Sequence, residues 1–436
     1  MAQKLSMKLV PALMLVAFSG AASASGFQLL EQNASGIGNS YAGSAAVAEN
    51  ASTIYFNPAG MTQLQDREVS GGISAVKPSF KFHNQGSSVA GLGATGEGGD
   101  AGGWAFIPNG YASWALTKDV YIGVGVGAPF GLKTEYQDRW IGAAQAQMFE
   151  VQTINVNPSV AYRVNEKVSL GAGLNWQKLN AKYDRLTGTG AGTSSAVTAK
   201  MSLSDDAWGW NVGALFTVSP STKVGVSYRS RVKYSTTGDV KLSSDGSTLG
   251  NLTLASLTSF GGQSDVTANL TMPDTAILSV AQKLSDKWEM LGDVSWTGWS
   301  SIPKVDIMRS SGVANGNLAQ TLDTDFRDTW RVALGANYKY NDAWKLKFGV
   351  AYDQTPVKAA GTRLVSLPDN DRVWLSLGAQ WELNKASRLD LGLSYIHVRD
   401  SKINNNQSAS LPSRGTVTGE YTGSIWLLGA QYSMSF

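Results

Sequence analysis

Cysteine is absent from all 436 residues, so no disulfide holds this chain together and no thiol acts in it. Histidine occurs only at His83 and His397. The first falls at a loop end and the second continues an apolar face. Neither stands near a G-x-S-x-G or another nucleophile setting, so a hydrolase would lack its general base. Charged residues are scarce at 16%, against about 25% in soluble domains. No run approaches the roughly 18 consecutive apolar residues of a membrane helix, and no G-x-x-x-x-G-K-[ST] run is present to cradle phosphates. A disulfide-stapled module, a helical membrane protein and a nucleotide-driven pump are thereby set aside. The balance of 36 basic to 33 acidic residues gives no case for nucleic-acid binding. No metal and no cofactor is expected, and no enzymatic activity.

What is present begins with an export signal. Lys4 and Lys8 precede the short apolar run Leu9 to Phe18, and Ala22-Ser23-Ala24 is a small-residue cleavage site. That layout predicts a signal peptide over 1–24 and a mature start at Ser25. Loss of the two lysines leaves 34 − 33 = +1. Glycine at 48 residues and aromatics at 10% suit a large sheet. At the far end, Phe436, Met434, Tyr432, Ala430, Leu428 and Trp426 alternate with Ser435, Ser433, Gln431 and Gly429. This is a strand with one oily face and a terminal Phe436, the form in which bacterial barrels meet their assembly machinery.

The same period of two recurs along the chain. Val168, Leu170, Ala172, Leu174 and Trp176 alternate with Ser169, Gly171, Gly173 and Asn175, and Val373, Leu375, Leu377 and Ala379 with Ser376, Gly378 and Gln380. Fourteen such segments are expected, at 68–84, 104–117, 119–129, 150–163, 167–185, 207–218, 222–242, 262–283, 287–307, 322–340, 343–355, 370–383, 387–402 and 418–436. Six connections are tight, such as Asn165-Glu166 and Asn341-Asp342. Seven are long, at 85–103, 130–149, 186–206, 243–261, 308–321, 356–369 and 403–417. Tight and long alternate without exception, as periplasmic turns and external loops do in outer-membrane barrels. An unpaired amide in hydrocarbon costs several kcal/mol, so such strands must close on themselves. The expectation is an all-β, 14-stranded antiparallel transmembrane β-barrel over 68–436, monomeric, seated in outer-membrane lipid and lipopolysaccharide. Residues 25–67 lack alternation but carry Phe27, Leu29, Ile37, Tyr41, Ile54 and Phe56, too much apolar surface for a free tail. They are expected to plug the lumen as an N-terminal hatch.

Gly26-Phe27-Gln28-Leu29, the glycine-rich stretch from Ser35 to Gly43 and Asn57-Pro58-Ala59 resemble the hatch of the FadL/TodX-type long-chain fatty-acid and hydrocarbon transporters. Asp328-Thr329-Trp330-Arg331, Leu367-Pro368-Asp369-Asn370-Asp371-Arg372 and Lys402-Ile403-Asn404 are similar to later segments of that family, in family order. The resemblance implies passive uptake. A hydrophobic ligand is captured in a groove built by the third and fourth long loops, passed to a lumen pocket near the hatch, and released sideways through a gap at a kink in the third strand. Here those loops are 186–206 and 243–261, the latter carrying Leu252, Leu254, Leu257 and Phe260. Gly123, Gly125, Gly127 and Pro129 would supply the kink, unless the glycine face packs against the hatch instead. By strand parity Arg185, Arg327 and Arg331 face the lumen and could meet a carboxylate, or else pair with Asp184, Asp325 or Asp328. The family's basic pattern near Arg327 is not reproduced residue for residue, which leaves room for a neutral monoaromatic or alkane ligand.

Overall fold

The structure, a computed structural model, describes residues 26–88, 94–188, 197–410 and 414–436. The expected signal peptide lies outside them. Each wall strand of the barrel is numbered here as one stave, broken staves included. They are β1 (Arg67–Asn84), β2 (Ala105–Ala115), β3 (Val120–Gly127 and Gly131–Glu135), β4 (Met148–Asn165), β5 (Val168–Thr187), β6 (Val197–Ser219) and β7 (Thr222–Arg229 and Val232–Ser244). The second half holds β8 (Ser264–Met272 and Thr275–Lys283), β9 (Trp288–Thr297 and Lys304–Arg309), β10 (Leu318–Asp323 and Thr329–Lys339), β11 (Trp344–Asp353), β12 (Arg372–Asn384), β13 (Ser387–Asn406) and β14 (Thr416–Ser435). Each stave pairs antiparallel with the next, and β1 pairs with β14 from Glu68 opposite Ser435 to Asn84 opposite Gly419. The fourteen-stranded barrel is closed, and no sheet edge runs its length.

Alternation along the staves sorts side chains by face. On β14, Trp426, Leu428 and Tyr432 are exposed while Ile425, Leu427, Gln431 and Ser433 are buried. Leu170, Leu174, Leu375 and Leu377 likewise stand on the outer wall, which only lipid can cover without penalty. Two aromatic belts bound that surface: Trp114, Trp288, Trp344 and Trp381 near the tight turns, and Trp104, Trp208, Trp210 and Trp330 towards the long loops.

Four neighbouring staves, β7 to β10, break at one level. The break is closed by Tyr228 Oη donating to Asp274 (2.8 Å), Arg231 Nε donating to Asp274 (2.9 Å) and the Gly298 amide donating to the Asp274 carbonyl (2.9 Å). The third long connection departs from expectation. Residues 186–187 and 197–206, placed in a loop, belong to β5 and β6, paired through Thr187 opposite Val197; 189–196 lie outside the described residues. The alternation of Val197, Ala199, Met201 and Leu203 with Lys200, Ser202, Ser204 and Asp206 is intact, but its apolar members are turned inwards. A reading that looks for oily residues outside passes over them.

Residues 26–66 fill the lumen. Glycines on the inner wall let them approach: a Cβ on Gly225 would lie 1.9 Å from the Ala45 carbonyl oxygen, and one on Gly349 2.1 Å from the Asn39 carbonyl carbon. No side chain fits at either place.

Candidate functional site

The hatch is riveted by Asn57-Pro58-Ala59. Asn57 Oδ1 accepts from the Ala59 amide (3.1 Å) and so caps the turn Pro58–Gln63, where Pro58 supplies the fixed φ and needs no donor. Asn57 Nδ2 donates to the carbonyls of Ala45 (2.8 Å) in the hatch and Ala214 (2.9 Å) in β6. Ala59 is fully buried, its backbone against Gly171 of β5.

Above the hatch lies an apolar pocket, walled by Val151, Leu179, Leu203, Leu270, Ile307 and Leu322. Phe27 forms its base, with ring centroids 4.8 Å from Trp299 and 6.1 Å from Phe130. Arg185 lies buried at the external end and faces the lumen as parity predicts. Among the described residues it forms no ion pair, with Asp184 or any other carboxylate. Its electrostatic neighbours are Arg414, Tyr183 and Arg309. Arg309 donates to Ser264 (2.8 Å) and Arg414 to Gln320 (2.5 Å), both neutral acceptors. Sequence reasoning missed these two arginines because they fell in segments read as loops, where parity says nothing.

Arg331 also faces the lumen, buried, donating to the Ser40 carbonyl (2.6 Å) and lying over Trp374 at 5.1 Å. Arg327 does not. Residues 324–328 carry no strand, so parity fails there; Arg327 sits half-exposed at the rim, 4.0 Å from Asp371, while Asp325 pairs with Lys358. Leu252, Leu254 and Leu257 belong to helix α1 (Thr248–Ser259), with Phe260 at its end; Leu252 and Phe260 are exposed and the other two half-buried. His83 and His397 are exposed on the outer wall.

The third stave is broken, but not by its glycines. Gly123, Gly125 and Gly127 face inwards, where a Cβ would strike Ile54 and Met61, Tyr111, and Gln32 respectively. Their smallness makes room for the hatch. The break falls at Ala128-Pro129-Phe130, and it is filled by the start of the hatch. The Leu29 amide donates to Pro129 (2.8 Å), the Gly131 amide to Phe27 (2.8 Å) and Gln32 Nε2 to Ala128 (2.6 Å).

A buried carboxyl also went unread. Glu31 is fully enclosed in the hatch, and neither oxygen has a partner in another residue. Burial lifts its titration to about 7, against its own amide and the charges of Arg372 and Arg331.

A closed fourteen-stave cylinder with an oily outer wall, a corked lumen and an apolar pocket above the cork defines an outer-membrane transporter for hydrophobic molecules. Residues 15–436 match the family described as outer membrane protein transport protein (OMPP1/FadL/TodX), and the chain belongs to it. It is 30% identical to the long-chain fatty acid transport protein of Escherichia coli strain K12, over 94% of each chain. It is also 30% identical to outer membrane protein P1 of Haemophilus influenzae strain Rd, over 99% of this chain and 100% of that one. A Pseudomonas aeruginosa FadL homologue has the same fold, with a TM-score of 0.86 at 22% identity, covering 94% of this chain and all of the other. The toluene transporter TodX of P. putida follows at 0.66 and 15%, covering 95% and 99%. The chain is a β-barrel of the Gram-negative outer membrane.

Proposed function

We propose that the protein takes up long-chain fatty acids passively. Capture is on the exposed apolar surface of Leu252 and Phe260, transfer is into the pocket above Phe27, and release is sideways through the break in β3. The observation that carries this is an apolar chamber lined by Leu179 and Tyr183 and based on the Phe27 ring, with the buried Arg185, which forms no ion pair among the described residues, two positions beyond Tyr183 on the same inner face of β5. Each buried methylene contributes about 0.8 kcal/mol, so a sixteen-carbon tail gains roughly 12 kcal/mol at full burial. A charge-assisted contact to the carboxylate adds on the order of 1.5–3 kcal/mol. The tail dominates and the head orients.

The predominantly apolar lining of that pocket favours one second reading, uptake of monoaromatic or alkane hydrocarbons by the same path. Growth on oleate after deletion, compared with toluene sensitivity, separates the two. Substitution of Asn57 or Pro58, or a cross-link closing the break in β3, is expected to abolish oleate uptake while the barrel still inserts. Uptake that survives all three sinks the route.

A further inference from the structure

Beneath the Phe27–Gln28 segment lies a second, small chamber, different in kind from the first. Its floor is Tyr55 and Phe56, and its wall carries Asn211, Arg229, Arg331 and Asp353. The upper chamber ends on the ring of Phe27. The lower is roofed by the amide of Gln28, which donates to Thr275 (3.1 Å) and accepts from Thr297 (3.1 Å).

The wall holds two arginines and one carboxylate. Arg229 donates to Asn175 Oδ1 and to the Tyr55 carbonyl (2.9 Å), and lies 4.2 Å over the Tyr55 ring. All these partners are neutral. Among the described residues neither Arg229 nor Arg331 has a carboxylate within ion-pair distance. Asn211 is buried, and its Oδ1 already accepts from Asn175 (2.9 Å) and Asn157 (3.0 Å). Those two donors fix the orientation of the amide, and Nδ2 is left as a buried donor with no partner. The buried Nε of Arg331 is likewise unpartnered. A buried cation or donor without a counterpart is costly, and several lining one chamber describe the complement of an anion.

We propose that this lower chamber is a carboxylate-receiving subsite. Arg229 and Asn211 Nδ2 would bind the head of an alkyl carboxylate, with Arg331 facing them, once Phe27 and Gln28 have moved aside. The head would leave the Arg185 end of the upper pocket and be met again below the partition, beside the Phe27–Gln32 strand that fills the break in β3. A neutral hydrocarbon would find no such second station. The inference rests on the fatty-acid reading for its role in passage, but the chamber's selectivity for a carboxylate stands apart from it.

The test uses the full chain in lipid nanodiscs, titrated with hexanoate and with hexanol. Arg229→Gln and Asn211→Asp should lower hexanoate affinity about tenfold or more and hexanol affinity far less, and Arg229→Lys should restore much of the difference. Equal losses for both ligands, or no loss in either variant, overturn the subsite. Oleate delivery into proteoliposomes by the unaltered protein is measured in parallel. Failure there sinks the proposed function, while hexanoate selectivity still decides the chamber.

Discussion

On the side facing β11 to β13, the hatch is clamped by charge. Lys347 Nζ, almost wholly buried, meets Glu49 (2.7 Å), Asp390 (3.1 Å) and the Ser35 carbonyl (3.1 Å), and Lys345 holds Glu49 from beside it (3.1 Å). Burial would raise the Glu49 carboxyl, but the two lysines outweigh it and hold it well below the usual carboxylate range. On the side facing β3, Phe27 to Gln32 are held by neutral hydrogen bonds alone: the two backbone bonds and the Gln32 amide contact already given, the Gln28 side chain with Thr275 and Thr297, and Tyr111 Oη donating to the Gln32 carbonyl (2.7 Å); among the described residues no ion pair joins them to the wall. The difference teaches where the cork can give. A buried ion network that loses one member leaves charge stranded in a dry place; a short strand lying in a break can leave and be replaced by water or ligand.

The contrast can be broken from the strong side first. Lys347→Met strands the buried Asp390 and leaves Glu49 to Lys345 alone, and is expected to destabilise the hatch by about 3–5 kcal/mol. Hydrogen exchange of residues 33–50 should quicken and single-channel conductance appear; a silent, protected hatch would refute the clamp. Next comes Glu31. Its folded titration lies above the ordinary 4.5, so its proton favours the folded hatch fully below that value, and the advantage is lost as pH rises to about 7. The penalty above the window is roughly 3 kcal/mol. Amide protection around Glu31 should therefore fall between pH 4.5 and 7 and flatten in Glu31→Gln. Asn57→Ala removes a cap and leaves two carbonyl acceptors without their donor, a loss of about 1–2 kcal/mol, visible as faster exchange in 57–63 before any change in the staves. The smallest effect belongs to the outer wall, where the exposed Lys182 pairs with Glu150 at 3.3 Å. Lys182→Ala should change stability by less than about 1 kcal/mol and leave the hatch as it was.

The staves could be read from sequence because one face of each must be oily over the lipid-covered stretch, and that constraint writes period two. Above the lipid it reverses. Met201 and Leu203 turn inwards around the apolar pocket while Lys200 and Ser202 meet water, so the top of β6 passed for a loop. Arg185 and Arg331 were found because they sit on unbroken strand. Arg327 was misplaced because the ladder is interrupted just before it. The lower chamber was invisible for another reason. Arg229 and Asn211 stand opposite one another in the β6–β7 ladder, but only the packing of the hatch against that ladder adds Tyr55.

The aligned break through β7 to β10 has a bearing on how the molecule sits. Interrupted ladder amides and an ion pair such as Asp274 with the exposed Arg231 side chain are tolerated only where solvent or headgroups reach them. The crease therefore marks a waterline on that flank, with Trp210 and Tyr228 moored beside it. Everything above it is wetted superstructure, and the draught of the hull is set by where four ladders stop.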